Sequence, residues 1–189
     1  MGTFKDVERI DLERLQAHNE AVEQKQVKPK PNIKMDVEPT EDKLDVLTDR
    51  NAEWRKELRA SMKPKERTAI LRVQMPELDP VYRATTLREE VNRGLTKEMA
   101  MTEAKRCLDC AKPTCVEGCP VNINIPSFIK NIERGQFLAA AKVLKSTSAL
   151  PAVCGRVCPQ EKQCESRCIH LKMKEPAVAL SLIHISEPT

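Results

Sequence analysis

Eight cysteines lie between positions 107 and 168, in two runs, and none lies elsewhere in the chain. The first run is Cys107-x2-Cys110-x4-Cys115-x3-Cys119-Pro120, and the second is Cys154-x3-Cys158-Pro159-x4-Cys164-x3-Cys168. Thiolates at such short intervals are soft metal ligands, and closure of a run by Cys-Pro selects iron–sulfur chemistry. A cubane cluster takes four thiolates, three from a closely spaced loop and the fourth from a distant cysteine. In two-cluster ferredoxins the cysteine that precedes the proline serves the other cluster. Applied here, the rule gives Cys107, Cys110 and Cys115 to one cluster and sends Cys119 across to a second. Cys158 and Cys164 then join Cys119, and Cys168 returns to complete the first cluster. A zinc module also opens with Cys-x2-Cys, but its cysteines come as separated pairs and not as a run of four closed by proline. Zinc stays open as a structural alternative. Packing alone does not call for so many thiols in so short a stretch.

The elements that must position these residues read as helices. Residues 4–25 and, beyond a Lys28-Pro29-Lys30-Pro31 linker, residues 40–62 carry apolar side chains at helical spacing, with Leu44, Val46, Leu47, Trp54 and Leu58 on the second stretch. This charged arm either docks its narrow apolar stripe on another domain or subunit, or stands as a solvated hairpin. Pro64, Pro76 and Pro80 mark residues 63–85 as extended connecting chain. Thr86 to Glu89 has the form of a capping box, which predicts a short helix ending near Gly94. Thr96 caps the helix that carries Met99, Met101 and Ala104 into Cys107. Pro126 opens a helix over 127–134 that Gly135 stops, and an alanine-rich helix follows over 137–145. The cysteines sit on loops at helix ends, and no strand pattern is evident. The fold class is therefore all-α, a helical two-cluster ferredoxin-like domain with long cluster-binding loops, preceded by the charged arm.

Composition narrows the function. Hydrophobic residues make up 40% of the chain but aromatic ones only 3%, so the core is thin and bound clusters would help to close it. The net charge of +4 comes from interspersed lysine, arginine, aspartate and glutamate, which argues against a nucleic-acid partner. No apolar run is long enough to cross a membrane. The first residues lack a secretory signal, and Asp6 stands where a myristoylation signal needs serine or threonine. A cytoplasmic setting keeps thiols reduced and leaves them for metal.

The segment Glu103 to Cys110 (EAKRCLDC), Pro113-x-Cys115, Gly118-Cys119-Pro120-Val121, Ile125-Pro126 with Phe128-Ile129, and Gly155 to Pro159 (GRVCP) carry a family resemblance. Residues 64–179 resemble the N-terminal iron–sulfur domain of the NADPH-dependent glutamate synthase small (beta) chain. The same domain opens dihydropyrimidine dehydrogenase and the large subunit of the bifurcating NADH-dependent ferredoxin:NADP oxidoreductase. The resemblance implies an oxidoreductase subunit with two [4Fe–4S] clusters, placed ahead of FAD and NADPH domains. Electrons would pass from NADPH through FAD and the clusters to the FMN of the large chain. Carried over, it matches Cys107, Cys110, Cys115 and Cys168 to the first cluster and Cys119, Cys158 and Cys164 to the second. Cys154 matches no ligand and is expected to be a buried bystander. Among the cations beside the ligands, Arg156 is expected to lie near a cluster, while Arg106, Lys112 and Arg167 read as surface charges. His18 and His170 read as surface residues, and no catalytic residue is expected.

The chain departs from the family at its end. Residues 180–189 resemble the translation of a sequencing adapter, and the family's fourth ligand to the second cluster, a glutamate or glutamine, would fall on His184. No Gly-x-Gly-x-x-Gly is present, so neither dinucleotide site is expected within these residues. The chain by itself is expected to carry electrons without turning over NADPH. Its partners would be its own downstream flavin domain and the large chain.

Overall fold

The computed structural model describes residues 43–185. The expected helix over 4–25 and its linker lie outside them. The described residues fall into two compact units, one joining 43–78 to 90–185 and the other containing 79–89. Both are helical, and β structure among the described residues is one isolated antiparallel bridge between Glu77 and Asn92. The all-α class holds.

The larger unit begins with α1 (Leu44–Thr48), α2 (Glu53–Ser61) and α3 (Pro64–Ala69). Pro64 occupies the first turn of α3, where the missing N–H has no intrahelical partner to lose. Proline therefore starts this helix instead of marking extended chain, and residues 70–78 alone follow the extended expectation. The same holds in the smaller unit, where α4 (Pro80–Thr85) begins on a proline and Asp79 accepts from the Val81 and Tyr82 amides at 2.9 and 3.1 Å. The helix expected after Thr86 does not form. Glu89, which would complete the capping box, instead accepts the Tyr82 hydroxyl. Beyond it, Leu78 and Arg93 amides bond the Val91 and Pro76 carbonyls at 2.9 Å each and hold 90–93 as a bridge.

The centre of the larger unit is α5 (Lys97–Lys105), α7 (Ile125–Glu133) and α8 (Phe137–Lys145); the intervening α6 (Thr114–Glu117) is a single turn. Thr96 caps α5 by accepting from the Met99 amide at 3.3 Å. Asn124 caps α7, and Gly135 ends it in the left-handed region at φ 79°, where only glycine is unstrained. Ile125, Phe128, Ile129 and Ile132 recur at i, i+3, i+4 and i+7 and are all buried, which sets α7 as the central helix. Ala100 and Ala104 let α5 pack close to it, and α8 contributes Ala139, Ala140, Val143 and Leu144.

The described part of the arm does not stand free. Leu47 is wholly buried, and α1 packs on α7 and α8 of its own unit. Arg134 lies over the Trp54 ring at 4.0 Å. After α8 come α9 (Pro151–Val157), two 3-10 turns (Gln160–Lys162 and Glu165–Arg167), α10 (Ile169–Lys172) and α11 (Leu180–Ile185). Residues 180–185, set apart in sequence as a foreign tail, form a helix that packs on α9 and α5 with Leu180 and Ile183 buried.

Candidate metal centre

Two cavities divide the eight cysteines. The first is walled by Cys107, Cys110, Cys115 and Cys168, and the second by Cys119, Cys154, Cys158 and Cys164. Cys119 thus leaves its own run for the second cavity, and Cys168 leaves the other run for the first. Ile125 and Leu180 border both cavities, so a single layer of side chains separates them. All eight thiols are free and half-buried. Cys154 is not buried away from the site; it stands in the second wall, with Ser148 Oγ at 3.8 Å from its sulfur.

Local structure explains the arrangement. α5 delivers Cys107 at its C-terminus, and Asp109, at φ 53°, turns the chain so that Cys110 faces the same cavity. The single turn of α6 carries Cys115 and ends at Gly118. A side chain at Gly118 would meet the Gln163 carbonyl oxygen at 2.8 Å, so glycine lets the first cysteine loop approach the second. α9 carries Cys154 and closes at Cys158, where Pro159 prevents continuation. Cys164 and Cys168 flank the second 3-10 turn.

Burial pushes the Cys107 thiol up to about 11 and the Cys164 thiol up to about 12, and it raises Cys110, Cys115 and Cys158 as well. Ligation therefore has to displace protons, as metal binding to thiols does. The donor set fits an iron–sulfur cluster: four thiols wall each cavity, and most of the remaining wall is apolar. No group of three or more His, Cys, Asp or Glu among the described residues is arranged to hold a single metal ion.

Buried charges brace the first loop. Asp109 accepts from Arg55 through Nε at 3.0 Å and Nη2 at 2.5 Å, and from Arg59 at 2.6 Å. Burial raises the Asp109 carboxyl, but its bonds to Arg55 and Arg59 and the charges of Arg55 and Lys130 outweigh it and hold the group below its ordinary range. Arg106 is buried, contrary to the surface position expected, and donates to Glu103 and to the carbonyls of Ile70, Pro176 and Ala177. Lys130 donates to the Cys107 carbonyl at 2.7 Å. Sequence reasoning missed Arg55, Arg59, Asp109 and Lys130, whose partners lie far along the chain. Arg156, expected beside a cluster, is exposed and donates to Glu90 at 2.6 Å. His170, expected at the surface, is buried in the wall of the first cavity. Its Nε2–H donates to the Arg106 carbonyl at 3.0 Å, Nδ1 has no partner, and burial lowers its basicity. The His184 side chain lies outside the described residues.

The family described as dihydropyrimidine dehydrogenase domain II, 4Fe–4S cluster, matches residues 83–185, more than half of the chain and all eight cysteines. The chain belongs to this family. Among curated relatives of this 4Fe–4S family, the glutamate synthase [NADPH] small chain of Escherichia coli is 35% identical over 100 residues, 51% of this chain and 21% of the relative. The corresponding small chain of Azospirillum brasilense is 32% identical over 110 residues, 58% of this chain and 23% of the relative. The NAD-dependent dihydropyrimidine dehydrogenase subunit PreT of Salmonella typhimurium is 38% identical over 88 residues, 47% of this chain and 21% of the relative. The chain spans about a fifth of the length of these proteins. No helix among the described residues is long and apolar enough to cross a membrane.

Proposed function

We propose that this domain carries electrons through two [4Fe–4S] clusters, one in each cysteine-walled cavity, as the N-terminal part of a glutamate synthase (NADPH) small chain. The observation that carries the reading is the division of eight cysteines into two adjacent sets across two runs. Cys107, Cys110, Cys115 and Cys168 would hold the first cluster. Cys119, Cys158 and Cys164 would hold the second, with its fourth ligand outside the set that sequence assigns. When bound, such clusters supply reversible one-electron transfer. The chain's own residues bind them, exclude water with Ile125, Phe128, Val178 and Leu180, and brace the ligand loops through Asp109 and Lys130. FAD and NADPH would bind in downstream domains, and the large chain would take the electrons, in a cytoplasmic assembly.

PreT, at 38% identity, favours a second parent within the same electron-transfer class, a pyrimidine dehydrogenase subunit. The test that decides between clusters and a structural zinc module is metal analysis of the anaerobically purified chain. About eight irons with matching sulfide, and absorbance near 400 nm that dithionite bleaches, are expected. Zinc without sulfide would overturn the proposal.

A further inference from the structure

We propose that Arg50, Arg55 and Arg59 are positioning residues of the first cluster: through Asp109 they fix the loop between two of its ligands and hold its reduction potential up. The inference rests on the two-cluster reading above and deepens it. Asp109 lies between Cys107 and Cys110 with φ at 53°, a conformation that non-glycine residues seldom adopt without compensation. The compensation comes from α2 and the turn that precedes it. Arg55 grips the carboxylate with two bonds and Arg59 adds a third, while Arg50 places Nε and Nη2 on the Asp109 carbonyl at 3.2 and 3.1 Å. Arg59 also donates to the Arg50 carbonyl at 2.8 Å, so the three cations form one clamp.

Bracing a loop does not require three guanidiniums. One would neutralise the carboxylate, and burying further charge costs more desolvation than an apolar contact of the same size. The clamp therefore leaves an excess of positive charge beside the first cavity, and Arg55, at 2% exposure, is little screened by solvent. A thiolate-ligated cluster gains negative charge on reduction, so fixed cations nearby favour the reduced form. At the second cavity Arg156 turns outward to Glu90 instead. The clamp thus serves one couple of the two.

The experiment uses the full chain, with iron and sulfide per chain and an EPR-monitored redox titration. Arg59→Gln is expected to keep the parent's iron and to lower one couple only, on the order of tenfold in its reduction equilibrium, about 59 mV for one electron. Arg55→Lys, which keeps charge but loses the two-pronged grip, is expected to retain the potential while releasing iron faster to a chelator. Arg156→Gln serves as control and is expected to move neither couple. If Arg59→Gln loads fully and both couples stay in place, the clamp is overturned while the two-cluster reading stands. If the parent itself carries no iron and sulfide, the two-cluster reading falls first and the clamp falls with it.

Discussion

Lys130 offers the sharpest test of how the fold holds its first cysteine. The ammonium is fully buried on α7, donating to Glu133 at 2.5 Å and to the Cys107 carbonyl at 2.7 Å. Glu133 also accepts from Arg67 at 2.8 Å, and Arg67 donates onward to the Lys105 carbonyl at 2.7 Å. Lys130→Met keeps the stem and removes the charge. Removing one partner of a buried pair costs about 3–5 kcal/mol, and a buried carbonyl left unpaired about 1–3 kcal/mol. Arg67 remains on Glu133, and the two costs overlap, so about 3 kcal/mol is the expected loss. For a chain of this size that is a fall in melting temperature of roughly 6–12 °C. Glu133→Gln should cost more, because it strands two buried cations, Lys130 and Arg67. Both variants are followed by urea denaturation with helical signal and absorbance near 400 nm recorded together. A Lys130→Met loss below about 1 kcal/mol, or Glu133→Gln proving milder than Lys130→Met, would falsify the account of this network.

Three further outcomes are expected. Cys110→Ser should remove at least half of the iron, the first cluster's and with it part of the second's, whereas Cys154→Ser should keep the parent's content; equal losses in the two would make Cys154 the fourth ligand of the second cluster. Gly118→Ala sets a Cβ at 2.8 Å from the Gln163 carbonyl oxygen, a clash with backbone that should cost about 1–3 kcal/mol and speed iron loss in a chelator assay. Unchanged stability and lability there would show that the two cysteine loops do not meet as described. Arg156→Gln removes an exposed pair with Glu90 and should change stability by no more than about 0.5 kcal/mol in the same denaturation assay.

Apart from the exchange of Cys119 and Cys168 between the two runs, what the sequence made legible was local. Thr96, Pro126 and Gly135 marked the ends of α5 and α7 because caps and stops act within one turn, and the alanine-rich run placed α8 with its observed bounds. The all-α class followed from the same periodicity. Most of the failures share one cause, competition from partners elsewhere. Thr86 and Glu89 had the form of a capping box, but the Tyr82 hydroxyl takes Glu89. Pro64 and Pro80 looked like breaks, although proline is equally at home in a first helical turn. Arg106 and His170 looked like surface residues because their type favours it, yet Arg106 satisfies its guanidinium on Glu103 and three carbonyls, and His170 donates to the Arg106 carbonyl. The arm was ambiguous for the same reason. Nothing near Arg55 in sequence announces Asp109, 54 positions away.

The crossing of the cysteine runs gives the two cavities a common fate. Neither run closes a site alone, since Cys119 stands in the second wall and Cys168 in the first. The loops must therefore meet before either set of four is complete, and Gly118 against Gln163 is where they do. The cavities also share Ile125 from α7 and Leu180 from α11. α11 is held in turn by the Ala179 amide on Glu103 at 2.8 Å, and Glu103 is gripped by Arg106, the residue before Cys107. A cluster in the first site would thus steady, through Arg106 and Glu103, the helix that walls the second. Because ligation supplies folding free energy, the two sites should load and lose iron cooperatively, and the helices that look too sparse to make a core need only be sufficient once both are filled.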